Sequence, residues 1–114
     1  MSPHSNPVIA NAKLVNLNPA IAARETPLEF GVDLGGAFEF TNTSEEFSHF
    51  EITFDNPGPP GTTTTLIGTI DDPIFVQMPA ATRTFTGHIV FKKSDGTPQG
   101  GPVSFLAKSC PGCG

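Results

Sequence analysis

The sequence has no tryptophan and no tyrosine; its aromatic residues are 10 phenylalanines. Phenylalanine fills cores and carries no polar handle, whereas sugar sites and many interfaces lean on Trp and Tyr. A small-molecule or glycan ligand is therefore not expected. Charge is also scarce: 15% of residues are charged, with 6 Lys+Arg against 11 Asp+Glu and a net charge of −5. So few basic residues leave no electrostatic footprint for nucleic acid and little attraction to anionic lipid. No stretch approaches the roughly 18 apolar residues of a membrane span. The opening MSPHSNPVIANAK lacks the basic start and apolar run of a signal peptide. The expectation is a soluble chain, cytoplasmic or exported after removal of a leader. Cysteine is limited to two residues, Cys110 and Cys113.

What is abundant is turn chemistry and alternation. Twelve glycines and 12 prolines punctuate 114 residues, a length that suits one domain. Between the turns, apolar and polar residues alternate with the period of a half-buried strand. In LEFGVDL, Leu28, Phe30, Val32 and Leu34 share a face. In AFEFTN, Phe38 and Phe40 oppose Glu39 and Thr41; in HFEITF, Phe50, Ile52 and Phe54 oppose His49, Glu51 and Thr53. In RTFTGHIVFKK, Phe85, Ile89 and Phe91 oppose Thr84, Thr86, His88 and Lys92; in PVSFLAK, Val103, Phe105 and Ala107 oppose Ser104, Leu106 and Lys108.

Three more segments read as strands with weaker patterns. IANAKLVNL has mixed faces, TTTTLIGTI has β-propensity without a regular pattern, and IFVQM reads as a strand buried on both faces. The prolines of NPGPPG at 56–61 stop any strand. DDP at 71–73 and MPA at 78–80 read as turns. Asp95-Gly96, within SDGTPQGGP, is a turn dipeptide joining the last two strands. NPAIAARE offers one short helix, with Asn18 as N-cap and Pro19 as first helical residue.

About seven or eight short strands at even spacing predict an all-β, single two-sheet antiparallel β-sandwich. The pattern resembles the immunoglobulin-like or fibronectin-like superfold, which by itself implies little about function. The sandwich is expected over residues 1–108, followed by a C-terminal CPGCG tail at 109–114.

CPGCG is the sharpest chemical motif. A Cys-x-x-Cys turn aims two sulfurs at one metal, and Pro111 and Gly112 suit a tight turn. It resembles half of a zinc-ribbon or rubredoxin-type knuckle, which makes Cys110 and Cys113 the candidate metal ligands and zinc the candidate ion. A full site needs four ligands, so His4, His49, His88 or a second copy of the chain would have to contribute. The alternatives are a redox pair, a local disulfide, a reduced tail, or an anchor that crosslinks or packs on a neighbour. A redox pair usually sits at a helix N-terminus, and here it follows a strand.

Nothing else assembles into a catalytic constellation. His49 and His88 fall on polar strand faces, and no G-x-S-x-G context supports a nucleophilic serine. Pro3 lacks the amide that an amino-terminal copper site at His4 requires. Glu45-Glu46, Asp71-Asp72, Asp55-Asn56 and Asp33 read as solvated carboxylates, without the spaced run of a calcium loop or the fixed separation of a glycosidase pair. NTS at 42–44 fits a glycosylation acceptor, and TTTT at 62–65 an edge strand open to strand addition. The expected function is a non-catalytic binding or self-assembly module, with a protein partner or homo-oligomer and no cofactor. The alternatives are a metal- or thiol-dependent module acting through Cys110 and Cys113, and a carbohydrate- or calcium-dependent adhesion domain.

Overall fold

The computed structural model describes residues 8–17, 28–42, 47–55, 58–59, 65–69, 71–98 and 102–113. Those residues form eight strands: β1 Lys13–Leu17, β2 Leu28–Val32, β3 Ala37–Asn42, β4 His49–Phe54, β5 Leu66–Thr69, β6 Ile74–Gln77, β7 Arg83–Lys92 and β8 Val103–Ser109. They build a three-stranded sheet in the order β1-β3-β6 and a five-stranded sheet in the order β2-β8-β7-β4-β5. Among the described residues no helix is long and apolar enough to cross a membrane. The helix expected over NPAIAARE, His4, Glu45-Glu46, most of NPGPPG and the first three threonines of TTTT lie outside the described residues.

All five strongly alternating segments are strands, and the three weaker ones contribute β1, β5 and β6. Alternation works because successive side chains of a strand face opposite ways. β7 shows it from Thr84 onward, with Phe85, Gly87, Ile89 and Phe91 buried between more exposed neighbours. The inner faces of both sheets share one core: Phe30 of β2 packs edge-on against Phe40 of β3 at 5.5 Å and Phe38 at 6.3 Å.

The sheets are mixed, which corrects the antiparallel expectation. β1 pairs with β3 in parallel, and β2 pairs with β8 in parallel. The remaining pairs are antiparallel. The physical reason is the route of the chain. It leaves the three-stranded sheet after β1, runs back as β2 in the other sheet, and returns as β3. Two reversals make β1 and β3 parallel neighbours. Alternation encodes which face is buried and carries no information on strand direction.

Two smaller expectations change as well. Leu34 does not continue the buried face of β2. That strand ends at Val32, and Leu34 sits 40% exposed in the turn before Gly35 and Gly36. IFVQM is buried on one face only: Ile74, Val76 and Met78 point inward, Phe75 is half-buried and Gln77 is exposed. The Asp95-Gly96 turn forms as read. Gly96 takes a φ of 88°, Lys93 N–H bonds Thr97 O at 3.0 Å, and Gly96 N–H bonds Lys93 O at 2.9 Å.

Candidate functional site

The chain directions bring three turns to one end of the molecule: 33–36 between β2 and β3, 78–82 between β6 and β7, and 110–113 after β8. The last is closed by a disulfide between Cys110 and Cys113, whose Cα atoms are 5.4 Å apart. Among the described residues there is no free cysteine.

The disulfide turn is seated on the end of β2. Cys110 N–H donates to Val32 O at 3.1 Å, one step beyond the parallel β2–β8 ladder. Cys113 N–H returns to Cys110 O at 3.2 Å, and Gly112 takes a φ of 79°, where an L side chain would be strained. Gly112 N–H then donates to Asp33 Oδ1 at 3.1 Å. Cys113 lies over Gly31: a Cβ built on that glycine would meet the Cys113 carbonyl oxygen at 3.0 Å and its Cβ at 3.3 Å.

The other two turns are tied to the same frame. Gly35 N–H donates to Pro79 O at 3.0 Å, and Met78 N–H donates to Gly36 O at 2.9 Å. The Gln77 amide nitrogen reaches the carbonyls of Gly35 at 2.8 Å and of Gly36 and Met78 at 3.0 Å. Ser109, fully buried, donates through Oγ to Ala81 O at 2.7 Å. Lys13 Nζ donates to Gly31 O at 2.7 Å and links β1 to β2 across the two sheets. The surface over this frame comprises Asp33, Leu34, Ala80, Ala81, Thr82, Pro111 and Gly112, all exposed and all but Asp33 uncharged.

The outer face of the five-stranded sheet carries the polar residues. Glu51 sits between Lys92 Nζ at 3.1 Å and His49 Nε2 at 3.4 Å. Lys108 pairs with Glu29 at 2.9 Å. A shallow pocket of about 270 Å³ opens beside His49, lined by Ser48, His49, Ile67 and Thr69. His88 faces Ser104 on β8 and Thr53 on β4, and its Nδ1 lies 3.7 Å from Asp55 Oδ1. Those groups are not joined by a continuous chain of hydrogen bonds. The distance exceeds a hydrogen bond, both side chains are about half exposed, and the other Asp55 oxygen accepts the Thr86 hydroxyl at 2.6 Å.

Both described histidines thus lie on the polar face where the alternation puts them, well separated in sequence register from Cys110 and Cys113. Among the described residues no group of three or more His, Cys, Asp or Glu side chains gathers as a metal site. Two partners of the disulfide turn, Gly31 and Asp33, were not singled out together with it by sequence reasoning. One signal existed: a glycine interrupting a strand marks a close backbone approach, and Gly31 interrupts β2.

Compared with protein-family models, curated proteins and solved structures, the chain matches none.

Proposed function

We propose that the chain is a non-catalytic β-sandwich module that binds a protein partner or assembles with copies of itself through the end that carries the disulfide turn. The observation behind this reading is the rigid framing of three turns by Gln77, Ser109, Asp33 and the Cys110–Cys113 bridge. Loops fixed on a packed scaffold lose little freedom on binding, which favours recognition. Leu34 and Pro111 supply uncharged contact surface there. The strand order also supports an immunoglobulin-like arrangement: one sheet of β1, β3 and β6 faces one ending in β8-β7-β4-β5, as in sandwiches of that superfold. A disulfide fits an oxidising compartment, which favours export.

Native mass spectrometry of protein purified without chelator, on wild type and Leu34→Asp, tests the reading. The expected result is an oligomer or a co-purifying protein partner that Leu34→Asp weakens. A wild-type monomer with no partner, indistinguishable from Leu34→Asp, counts against it.

A second reading, a thiol- or metal-dependent module, draws on the same turn because both cysteines are only partly buried. Thiolates are the metal-binding form, so zinc uptake requires reduction first. Zinc retained by the reduced protein and lost in Cys110→Ser/Cys113→Ser supports this reading; equal uptake by both forms removes it.

A further inference from the structure

We infer that Cys110–Cys113 is a reversible thiol-exchange site, whose reduction releases the C-terminal turn from the end of β2 while the two sheets stay folded. This inference is independent of which partner the module binds.

Three observations carry it. The bridge spans a sequence separation of 3. The chain entropy a disulfide removes grows with the logarithm of the ring it closes, so a ring this small contributes less to the fold than a long-range bridge would. The fold rests on the phenylalanine-rich core shared by both sheets, and neither cysteine belongs to it. Second, the turn is accessible. Cys110 and Cys113 are partly buried, and Pro111 and Gly112 between them are exposed, so the bridge lies at the surface and outside the core. Third, the bridge holds something specific. It keeps Gly112 in its left-handed conformation, with its N–H on Asp33 Oδ1 and Cys113 over Gly31. The Cys110 N–H bond to Val32 O extends the β2–β8 ladder and does not need the bridge.

The exchange is balanced with a dithiol reductant. A reductant thiolate attacks one cysteine sulfur and forms a mixed disulfide, and the other cysteine leaves as thiolate and takes a proton. The reductant's second thiol then resolves the mixed disulfide. The protein gains two electrons and two protons as a dithiol, and the reductant becomes a cyclic disulfide. The contacts at Gly31 and Asp33 then rest on an open chain. What reduction uncovers is the outer face at Gly31, beside Lys108 on β8.

The test is ¹H–¹⁵N NMR with amide hydrogen exchange on the whole chain, oxidised, reduced with dithiothreitol, and reoxidised. Protein isolated in the reduced form is first oxidised with glutathione disulfide. Reduction should move the amide signals of Gly31, Val32, Asp33 and residues 111–113. Exchange at Gly112 should rise roughly tenfold or more, the scale set by opening a very small ring. The amides of Phe50, Ile52 and Ile89 should hold, and reoxidation should restore the first spectrum. Cys110→Ser/Cys113→Ser should match the reduced spectrum without reductant. Collapse of the whole spectrum on reduction, unchanged signals at Gly31 and Asp33, or a folded protein that neither forms nor loses the bridge would overturn the inference.

Discussion

Gly87 of β7 and Phe105 of β8 are direct cross-strand partners, and the Phe105 ring occupies the space that a side chain at 87 would fill. A Cβ there would lie 2.7 Å from Phe105 Cζ and 2.5 Å from the Thr53 carbonyl oxygen. β7 is the middle strand of the five, with β4 and β8 on either side. Gly87 is thus the gap that lets an aromatic from one neighbour and the backbone of the other approach together. Gly87→Ala should cost about 1–3 kcal/mol by overpacking, read as a lower midpoint in urea unfolding. Phe105→Leu in the same chain should recover part of that, because it removes the ring but not the Thr53 carbonyl. Strict additivity of the two changes would show that the ring contact does not matter.

Ser109 is a polar residue in the core. It is fully buried, and its Oγ–H donates to Ala81 O at 2.7 Å, tying the end of β8 to the loop before β7. Ser109→Ala leaves that carbonyl without this donor. Because Ala81 is exposed and water can reach its carbonyl, the expected cost is that of one ordinary hydrogen bond, about 0.5–1.5 kcal/mol. Ser109→Thr, which retains a hydroxyl but adds a methyl, should be worse than wild type for a steric reason. Equal stability of wild type and Ser109→Ala would show that the bond contributes nothing net.

The Asp95 carboxylate is held below its ordinary pKa. The largest cause is the Thr97 hydroxyl, which donates to Oδ1 at 2.6 Å, followed by the Thr97 N–H at 3.0 Å. Hydrogen bonds to the charged form stabilise it. For a carboxylate with a depressed folded pKa, the contribution to stability is complete above the unfolded value. It fades as pH falls through the folded one. The turn at 93–97 should therefore be intact at neutral pH and loosen only in acid, below the ordinary aspartate range. Carboxyl-detected NMR titration checks this. Thr97→Val should move the Asp95 midpoint upward, and an unmoved midpoint would reassign the shift to another group.

The alternation made the strands legible because burial of one face is written residue by residue: Phe50, Ile52 and Phe54 are buried, and His49, Glu51 and Thr53 are less so. It could not show direction, since β1 reads the same whether it runs with or against β3. Which sheet each strand joins depends on where the chain crosses over, and no local pattern records that. Leu34 fits the period of β2, yet the turn at Gly35, with a φ of 73°, takes it out of the sheet. At the candidate site, CPGC was conspicuous as a motif. Its seat was not: Asp33 and Gly31 are 79 or more residues away from the atoms they meet, as for Gly112 and Asp33. Long-range docking of that kind follows from the parallel β2–β8 pairing, which the sequence does not announce.

The Gly31 seat gives a prediction that separates docking from disulfide chemistry. Alanine at 31 places a methyl 3.0 Å from the Cys113 carbonyl oxygen and 3.3 Å from its Cβ. The conflict is with the Cys113 backbone, which has to give by a few tenths of an ångström. Gly31 also offers its own carbonyl to Lys13 Nζ, and alanine keeps that bond. Gly31→Ala should therefore leave the sheets folded, keep the Cys110–Cys113 bridge, and push the turn slightly out of its seat on β2. Removing glycine from a strand should itself contribute roughly 0.5–1 kcal/mol of stability, so a small net change in unfolding midpoint is expected. The reading that discriminates is the rate of reduction by dithiothreitol at fixed pH. A turn displaced from its seat is more open to attack, so the rate should rise, with a weakened Gly112–Asp33 hydrogen bond seen as faster exchange at Gly112. A rate equal to wild type would mean that the seat on β2 does not protect the bridge.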